Sequence, residues 1–373
     1  MTQPCPARVG DPVELIETPA LFVDLDAYEQ NLDRMAAIIA EYGVRFRPHA
    51  KTHKSPEIAL DQIKRGAIGV CCQKVSEAEV MVLGGVADVL VSNEIVGRAK
   101  LQRLAGLAKS ARIGVCADDA ENIAEISAAA ADADVVLTVL VEIDVGAGRC
   151  GVPPGNPALE LAQAVASAPN LQFGGLQAYH GGAQHIREHS ERYVSVAEAA
   201  KKTADTVDLL AHAGLECPMV TGGGTGSLDI DLELGVLNEL QAGSYIFMDA
   251  DYGRNFDPDN APFTSFRNSL FVRASVMSTP RSGVAIIDAG LKALAFDSGN
   301  PVVFGRCGAR YAAPSDEHGN LEVAEANPLL LGEAVTLIPG HCDPTVNLYD
   351  WYVGVRGGVV ERIWPVAARG ALS

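Results

Sequence analysis

The 373-residue sequence contains no apolar run that reaches the roughly 18 residues of a membrane span, and it opens without a charged-then-apolar leader. Nor does it carry a basic excess. A net charge of −18 leaves nothing to neutralise phosphates, which excludes a nucleic-acid binder. The acidity reads as a solubility feature. The eight cysteines (5, 71, 72, 116, 150, 217, 307 and 342) are scattered, and no Cys-x-x-Cys pair suggests zinc or redox chemistry. They read as reduced thiols of a cytoplasmic chain, with Cys71 and Cys72 as small buried hydrophobes in a strand. Internal repeats and low-complexity tracts are missing as well. So are a Walker lysine and GxGxxG spacing, which leaves neither a nucleoside triphosphate nor a dinucleotide indicated.

What is present fits a large α/β chain. The hydrophobic content of 48% supports a sizeable core, and the length suits a barrel of about 250 residues plus a second domain. Ala20–Asp24 is strand-like, and Asp26 is placed to cap a helix with Leu32, Met35, Ile38 and Ile39 at helical spacing. Eight further strands are predicted: Val44–His49, Gly69–Gln73, Asp88–Asn93, Arg112–Ala117, Val135–Asp144, Leu171–His180, Pro218–Gly222 and Gln241–Met248. Helical stretches such as Val75–Leu83, Ala120–Ala131 and Val194–Ala213 separate them. Eight strand–helix repeats predict a TIM-type (β/α)8 barrel. Beyond the turn formers of Asp257–Pro262 the texture becomes short strands between Gly, Pro and Asp turns, a second, all-β domain. Its predicted strands are Leu270–Ser278, Gly283–Asp288, Ala334–Ile338, Trp351–Arg356 and Val359–Pro365. The expected division is an N-terminal strand segment (1–24) packing with the β domain, a barrel (25–258) and the β domain (259–373).

A barrel keeps its chemistry at the C-terminal ends of its strands. The first strand runs out into Pro48-His49-Ala50-Lys51-Thr52-His53-Lys54. Crowding with cations and partial burial would both disfavour an ammonium, which makes Lys51 a candidate Schiff-base former, although the segment also reads as a solvated basic turn. The seventh ends in Thr221-Gly222-Gly223-Gly224-Thr225-Gly226-Ser227, where glycines let backbone N–H groups approach a phosphate and hydroxyls add donors. A flexible connector is the other reading of that loop. The fifth strand leads to Gly148-Arg149-Cys150-Gly151, the sixth to Gln177-Ala178-Tyr179-His180-Gly181, and the eighth carries Gln241, Gly243 and Ser244. A strand-end lysine with a phosphate loop suggests pyridoxal phosphate.

At this point the chain resembles the fold-type III pyridoxal-phosphate enzymes of the D-threonine aldolase, 3-hydroxy-D-aspartate aldolase and D-serine dehydratase group, which share an alanine-racemase-like barrel. The matching segments span nearly the whole chain: Arg47–Lys51, Cys71–Glu77, Gly148–Gly151, Gln177–Gly181, Thr221–Ser227 and His341–Thr345. The resemblance implies that Lys51 carries the cofactor, that Arg149 and Tyr179 flank its ring, and that Thr221, Gly223, Gly224, Thr225, Gln241, Gly243 and Ser244 bind it. It also implies a homodimer with its sites near the subunit interface. On its own His341-Cys342-Asp343 reads more simply as a turn. In family context His341 and Asp343 are similar to metal ligands. D-serine dehydratases place a cysteine two positions after the histidine, where Asp343 stands here, favouring zinc. An aspartate suits Mn²⁺ or Mg²⁺, with Co²⁺ or Zn²⁺ as further candidates, and Cys342 could swing in as a ligand.

The expected activity is retro-aldol cleavage of a β-hydroxy-D-amino acid to glycine and an aldehyde. His185 is the candidate base, with His49, His53 and His180 as weaker choices. Threonine-like substrates rank first. A 3-hydroxyaspartate substrate is the alternative, with Arg254 as a partner for its second carboxylate. A dehydratase or racemase on the same scaffold, a bare-barrel cofactor-homeostasis protein and a sugar-phosphate barrel complete the set. Asp288–Lys292 and Ser315–Gly319 are polar clusters that would either face the cleft or form turns.

Overall fold

The computed structural model describes residues 4–373. Strand β1 (Ala20–Asp24) leads into helix α1 (Leu25–Tyr42), and the cap is Asp24 rather than Asp26. The Asp24 carboxylate accepts from the backbone N–H of Asp26 (3.0 Å) and Ala27 (3.1 Å), satisfying donors that the first turn leaves open.

The barrel follows as β2 (Arg45–Phe46), α2 (Pro56–Lys64), β3 (Val70–Cys72), α3 (Val75–Leu83), β4 (Asp88–Glu94), α4 (Arg98–Leu107), β5 (Arg112–Ala117) and α5 (Ala120–Ala133). It continues through β6 (Leu137–Glu142), α6 (Asn156–Ser167), β7 (Leu171–Ala178), α7 (His189–His212), β8 (Met219–Gly222), α8 (Leu228–Leu234) and β9 (Glu239–Leu240). These eight strands form one parallel sheet in the order β2-β9-β8-β7-β6-β5-β4-β3. At the remaining seam Ile68 N–H donates to Phe46 O and Cys71 N–H to Pro48 O (both 2.9 Å), and a single parallel bridge joins His49 to Cys71. Strand alternation explains the filling. Val89 and Val91 turn outward into the helix-facing core, while Leu90 joins Cys71, Cys116 and Leu140 in an apolar layer inside the barrel.

The eighth strand lies upstream of its predicted place. Gln241–Met248 is a turn plus one short helical turn at Ser244–Ile246, and Glu239–Leu240 forms the strand. The apolar run Tyr245–Met248 is fully buried, which imitates a strand in sequence, but it packs as a corner beneath α1. Asn31 Nδ2 on α1 donates to Ile246 O (3.1 Å), so α1 occupies the place of an eighth barrel helix.

The second sheet comprises β10 (Leu270–Arg281), β11 (Val284–Ile287), β12 (Val302–Val303), β13 (Ala309–Pro314), β14 (Gly319–Val323), β15 (Ala334–Ile338), β16 (Trp351–Arg356) and β17 (Val359–Pro365), with α9 (Cys342–Val346) between β15 and β16. β1 lies between β10 and β16 in this sheet. The hairpin β13–β14 was not among the predicted strands, and Ser315–His318 is its turn. Lys292 N–H donates to Asp316 O (3.0 Å), so the two polar clusters of this region brace each other as turns. One apolar core joins Leu32 and Met35 of α1 to Val272 and Leu337 of the second sheet. No helix among the described residues is long and apolar enough to cross a membrane.

Candidate active site

Alternation along the β2 segment turns Arg47 and His49 toward the barrel axis, and a single helical turn at Ala50–Thr52, capped by His49, then sets Lys51 at the rim. A cavity of about 510 Å³ opens at this end. It gathers Lys51, Arg149, Tyr179, His185, Gly223, Gly224, Thr225, Gln241, Gly243 and Ser244, ten of the residues expected from sequence. Thr221 is the exception on the barrel side. Its hydroxyl donates to Glu239 Oε1 (3.2 Å) and accepts from Gln241 Nε2 (2.9 Å), so it is spent inside the barrel.

Lys51 Nζ lies 3.1 Å from Asp343 Oδ2, and its side chain is 42% exposed. The Asp343 carboxylate holds the Lys51 ammonium well above its usual range, against the opposing effect of burial. This corrects the expectation of a cation-crowded, readily neutral amine. His49 is buried and kept neutral, first by burial and then by Lys51. Burial likewise pushes His53 down to about 4. Lys54 is buried against Glu77. The neighbours that looked cationic in sequence are therefore neutral or already paired. Burial pushes Asp343 upward, but Lys51 and then His341 outweigh it and hold the carboxyl far below the usual range.

Opposite the lysine, Gln184 shapes the glycine loop. Its Oε1 accepts from the N–H of Gly226 (3.0 Å) and Ser227 (3.2 Å), and its Nε2 donates to Ser227 Oγ (2.7 Å). A Cβ on Gly224 would collide with this side chain, and one on Gly243 would come 2.7 Å from Thr52 Oγ1 and 2.8 Å from His49 O. Tyr245 N–H is satisfied by Thr225 Oγ1 (3.0 Å), whereas the N–H groups of Thr225, Gly243 and Ser244 make no hydrogen bond among the described residues. Open amides in a glycine-lined hollow form an anion cradle, so the residues present fit a phosphate. The Arg149 guanidinium lies 5.6 Å from the Tyr179 ring centroid at the same mouth.

His185 Nδ1 is 2.5 Å from Asp251 Oδ2, and its ring lies 5.6 Å from Tyr252. Burial pushes Asp251 upward, yet hydrogen bonds from His185, Arg254 and Arg187 bring it far below its ordinary value. Arg254 Nη2 is committed to Asp251 Oδ1 and Ser298 O (2.5 Å each) and does not line the cavity. His180 also lies elsewhere, with Nε2 3.1 Å from Ser195 Oγ.

His341 caps α9 and Asp343 lies in its first turn; neither lines the cavity itself, and Asp343 meets it through Lys51. His341 Nδ1 bonds to Asp297 Oδ2 (2.7 Å), which orients the ring and leaves Nε2 as a donor nitrogen. One imidazole and one carboxylate fit a hard or borderline divalent ion. Among the described residues no group of three His, Cys, Asp or Glu side chains gathers as a metal shell, so the protein offers two donors. Cys342, between them, is buried and held as a neutral thiol. Burial raises its pKa well above the usual thiol value, and its N–H is fixed to Asp249 Oδ2 (2.9 Å). Gln73, Ser92 and Tyr252 line the cavity without having been singled out individually. Gln73 Nε2 lies 2.9 Å from His49 Nε2, a strand-end polar position that alternation could have flagged.

A parallel barrel with a lysine at its C-terminal rim, faced by an anion cradle and joined to a strand-rich second sheet, defines an alanine-racemase-like enzyme. Two family models agree: the alanine racemase N-terminal domain matches residues 23–251, and a putative serine dehydratase domain matches residues 269–355. The chain is 49% identical to a D-threonine aldolase of Arthrobacter sp, over 98% of this chain and 96% of that protein. It is 47% identical to a 3-hydroxy-D-aspartate aldolase of Paracoccus denitrificans (strain Pd 1222), over 98% and 95%. The crystal structure of D-threonine aldolase from Filomicrobium marinum superposes with a TM-score of 0.96 at 52% identity, covering 99% of this chain and all of that one. The chain belongs to the family of D-threonine and 3-hydroxy-D-aspartate aldolases, carbon–carbon lyases built on the alanine-racemase barrel.

Proposed function

We propose that this protein is a pyridoxal-phosphate- and divalent-metal-dependent aldolase that cleaves D-β-hydroxy-α-amino acids of the D-threonine type to glycine and an aldehyde. The observation that carries this reading is the single cavity in which Lys51 faces the Thr225–Gly243–Ser244 amides while Asp343 meets the same amine. Lys51 would hold the cofactor covalently, the open amides its phosphate, and Arg149 with Tyr179 its ring. When bound, pyridoxal phosphate supplies the sink for the electrons of the breaking carbon–carbon bond. His341 and Asp343 would hold the cation, Mn²⁺ or Mg²⁺ ahead of Co²⁺ or Zn²⁺, whose Lewis acidity bears on the substrate hydroxyl.

His185 Nε2 takes the proton of that hydroxyl. Asp251, bonded to Nδ1, fixes the tautomer and stabilises the imidazolium that results. The guanidinium groups of Arg187 and Arg254 are both committed to Asp251, and with Arg149 at the cofactor ring no further arginine among the described residues lines the cavity for a second substrate carboxylate. That supports a neutral, threonine-like side chain over 3-hydroxyaspartate. Homodimeric assembly, cytoplasmic location and the division at residues 24/25 and 258/259 belong to the same reading.

The test compares kcat/KM for D-threonine with that for the two D-configured 3-hydroxyaspartate diastereomers, with product identification. Glycine and acetaldehyde from D-threonine, at the higher kcat/KM, are expected. A preference for 3-hydroxyaspartate reverses the substrate assignment, and a keto acid in place of the aldehyde identifies a dehydratase.

A further inference from the structure

Behind the cavity, the barrel holds a pair of carboxyl groups that the chemistry above does not use. Glu94 ends β4 and Glu142 ends β6, on alternate strands, so both project into the same layer of the barrel interior. Glu142 is 3% exposed. Its Oε1 lies 3.7 Å from Arg149 Nη2, while its Oε2 and both oxygens of Glu94 are buried without a hydrogen-bond donor. Three orphaned carboxyl oxygens in one place are costly, and two ionised carboxylates packed together would add like-charge repulsion. One proton resolves both problems, since an O–H on one group donates to the other. We propose that Glu142 and Glu94 share a single proton, and that the resulting monoanion is the counter-charge that positions Arg149 at the mouth of the cavity.

The surroundings agree. Burial, and then Glu94, push Glu142 up to about 8. The other groups facing the pair are Asp118, whose Oδ2 accepts from Gly151 N–H (2.9 Å), and the thiols of Cys116 and Cys150, both raised by burial and by their carboxyl neighbours. Neither thiol can act as an anion here, and Arg149 is the cation at hand. A monoanion balances it one to one. Loss of the shared proton leaves two negative charges beneath one guanidinium and draws Arg149 away from the Tyr179 ring toward Glu142.

The functional half of this inference rests on the cofactor reading of the cavity, and the protonation half stands independently of it. Glu142 is protonated more readily in the folded chain than in the unfolded one. Its contribution to stability is therefore complete at low pH and is lost as pH rises through about 8. The experiment follows thermal unfolding of the holoenzyme between pH 6 and pH 9.5, with retention of bound cofactor on dialysis, for the wild type, Glu94→Gln and Glu142→Gln. In the wild type Tm falls between pH 6 and about pH 8 and then levels, while cofactor retention drops as pH passes about 8. Glu94→Gln has no shared proton to lose, because the amide donates permanently to Glu142, so its Tm falls less than that of the wild type between pH 6 and pH 8 and it keeps its cofactor at pH 9. Glu142→Gln shows the same shallower fall in Tm, but it moves the charge off Arg149 and weakens cofactor binding about tenfold at every pH. Infrared absorption of a protonated carboxyl in Asp231→Asn, which removes the other buried carboxyl beneath the glycine loop, lost as pH rises through about 8, gives the same answer should either variant fail to fold. A wild-type Tm that runs parallel to that of Glu94→Gln through pH 9, or no carboxylic-acid band, overturns the shared proton. An equally shallower fall of Tm in both variants with equal cofactor retention overturns the positioning of Arg149 and leaves the proton in place. A protein that never takes up the cofactor contradicts the reading of the cavity, while the Tm profiles still decide the dyad.

Discussion

The two ends of the barrel each enclose a cavity of similar size, about 510 Å³ at the C-terminal rim and about 560 Å³ at the opposite end, yet their chemistry differs. At the opposite end every charge is paired, three arginines on two carboxylates. Arg47 binds Asp88 (2.5 Å) and Glu239 (2.9 Å), Arg112 binds Asp88 (3.1 Å), and the networks run on into Thr221 and Gln241. At the rim, amides stand open, an imidazole is aimed by a carboxylate, and a lysine is held by an aspartate from α9. Volume does not mark the site. Unspent hydrogen-bonding and ionic capacity does, because a purely structural interior satisfies its polar groups internally.

That contrast can be broken by moving each kind of group. His185→Ala should lower kcat by about 10²–10⁴, the usual span for a general base, with Tm nearly unchanged. Stopped-assay kinetics beside thermal unfolding would show it. Arg47→Met at the far end should do the reverse, destabilising by about 3–5 kcal/mol through the stranded Glu239 and Asp88 while the folded fraction keeps its kcat. Urea unfolding measures the first half and active-site-normalised rates the second. A loss of kcat as large as that of His185→Ala would remove the distinction between the two ends.

Smaller effects sharpen the cradle. Gly243→Ala forces a Cβ against Thr52 Oγ1 and His49 O, and should cost about 1–3 kcal/mol, read mainly as weaker cofactor binding in an equilibrium titration. Beneath the loop, Asp231 accepts from Ser227 Oγ (2.6 Å), and burial pushes its pKa up to about 7. Because that value lies above the unfolded one, the stability it gives is full at low pH and drains away as pH climbs through about 7. Asp231→Asn should flatten the decline in Tm between pH 6 and pH 8, on the order of 1–2 kcal/mol.

Local periodicity made much of this legible. The end of the first barrel strand put Lys51 at a strand mouth, and the helix Val75–Leu83 has the same limits in sequence and structure. The glycine loop announced itself by composition. What stayed hidden depends on contacts between distant segments. The ionic state of Lys51 is set by Asp343, 292 positions away in the chain (343 minus 51) and fixed only once α9 has docked. The Asp251 carboxylate that aims His185 lies in a polar turn whose partners no local pattern names. Gln241–Met248 imitated a strand because a buried corner and a buried strand share an apolar composition. The hairpin β13–β14 escaped because its short strands carry exposed polar residues on one face.

The central claim is covalent attachment of the cofactor at Lys51, and borohydride tests it most directly. The holoenzyme is reduced, digested and mapped by mass spectrometry. The account predicts a reduced pyridoxyl group on the peptide containing Lys51, and none in Lys51→Ala. A label on Lys54, or on any other lysine with Lys51 unmodified, would contradict it.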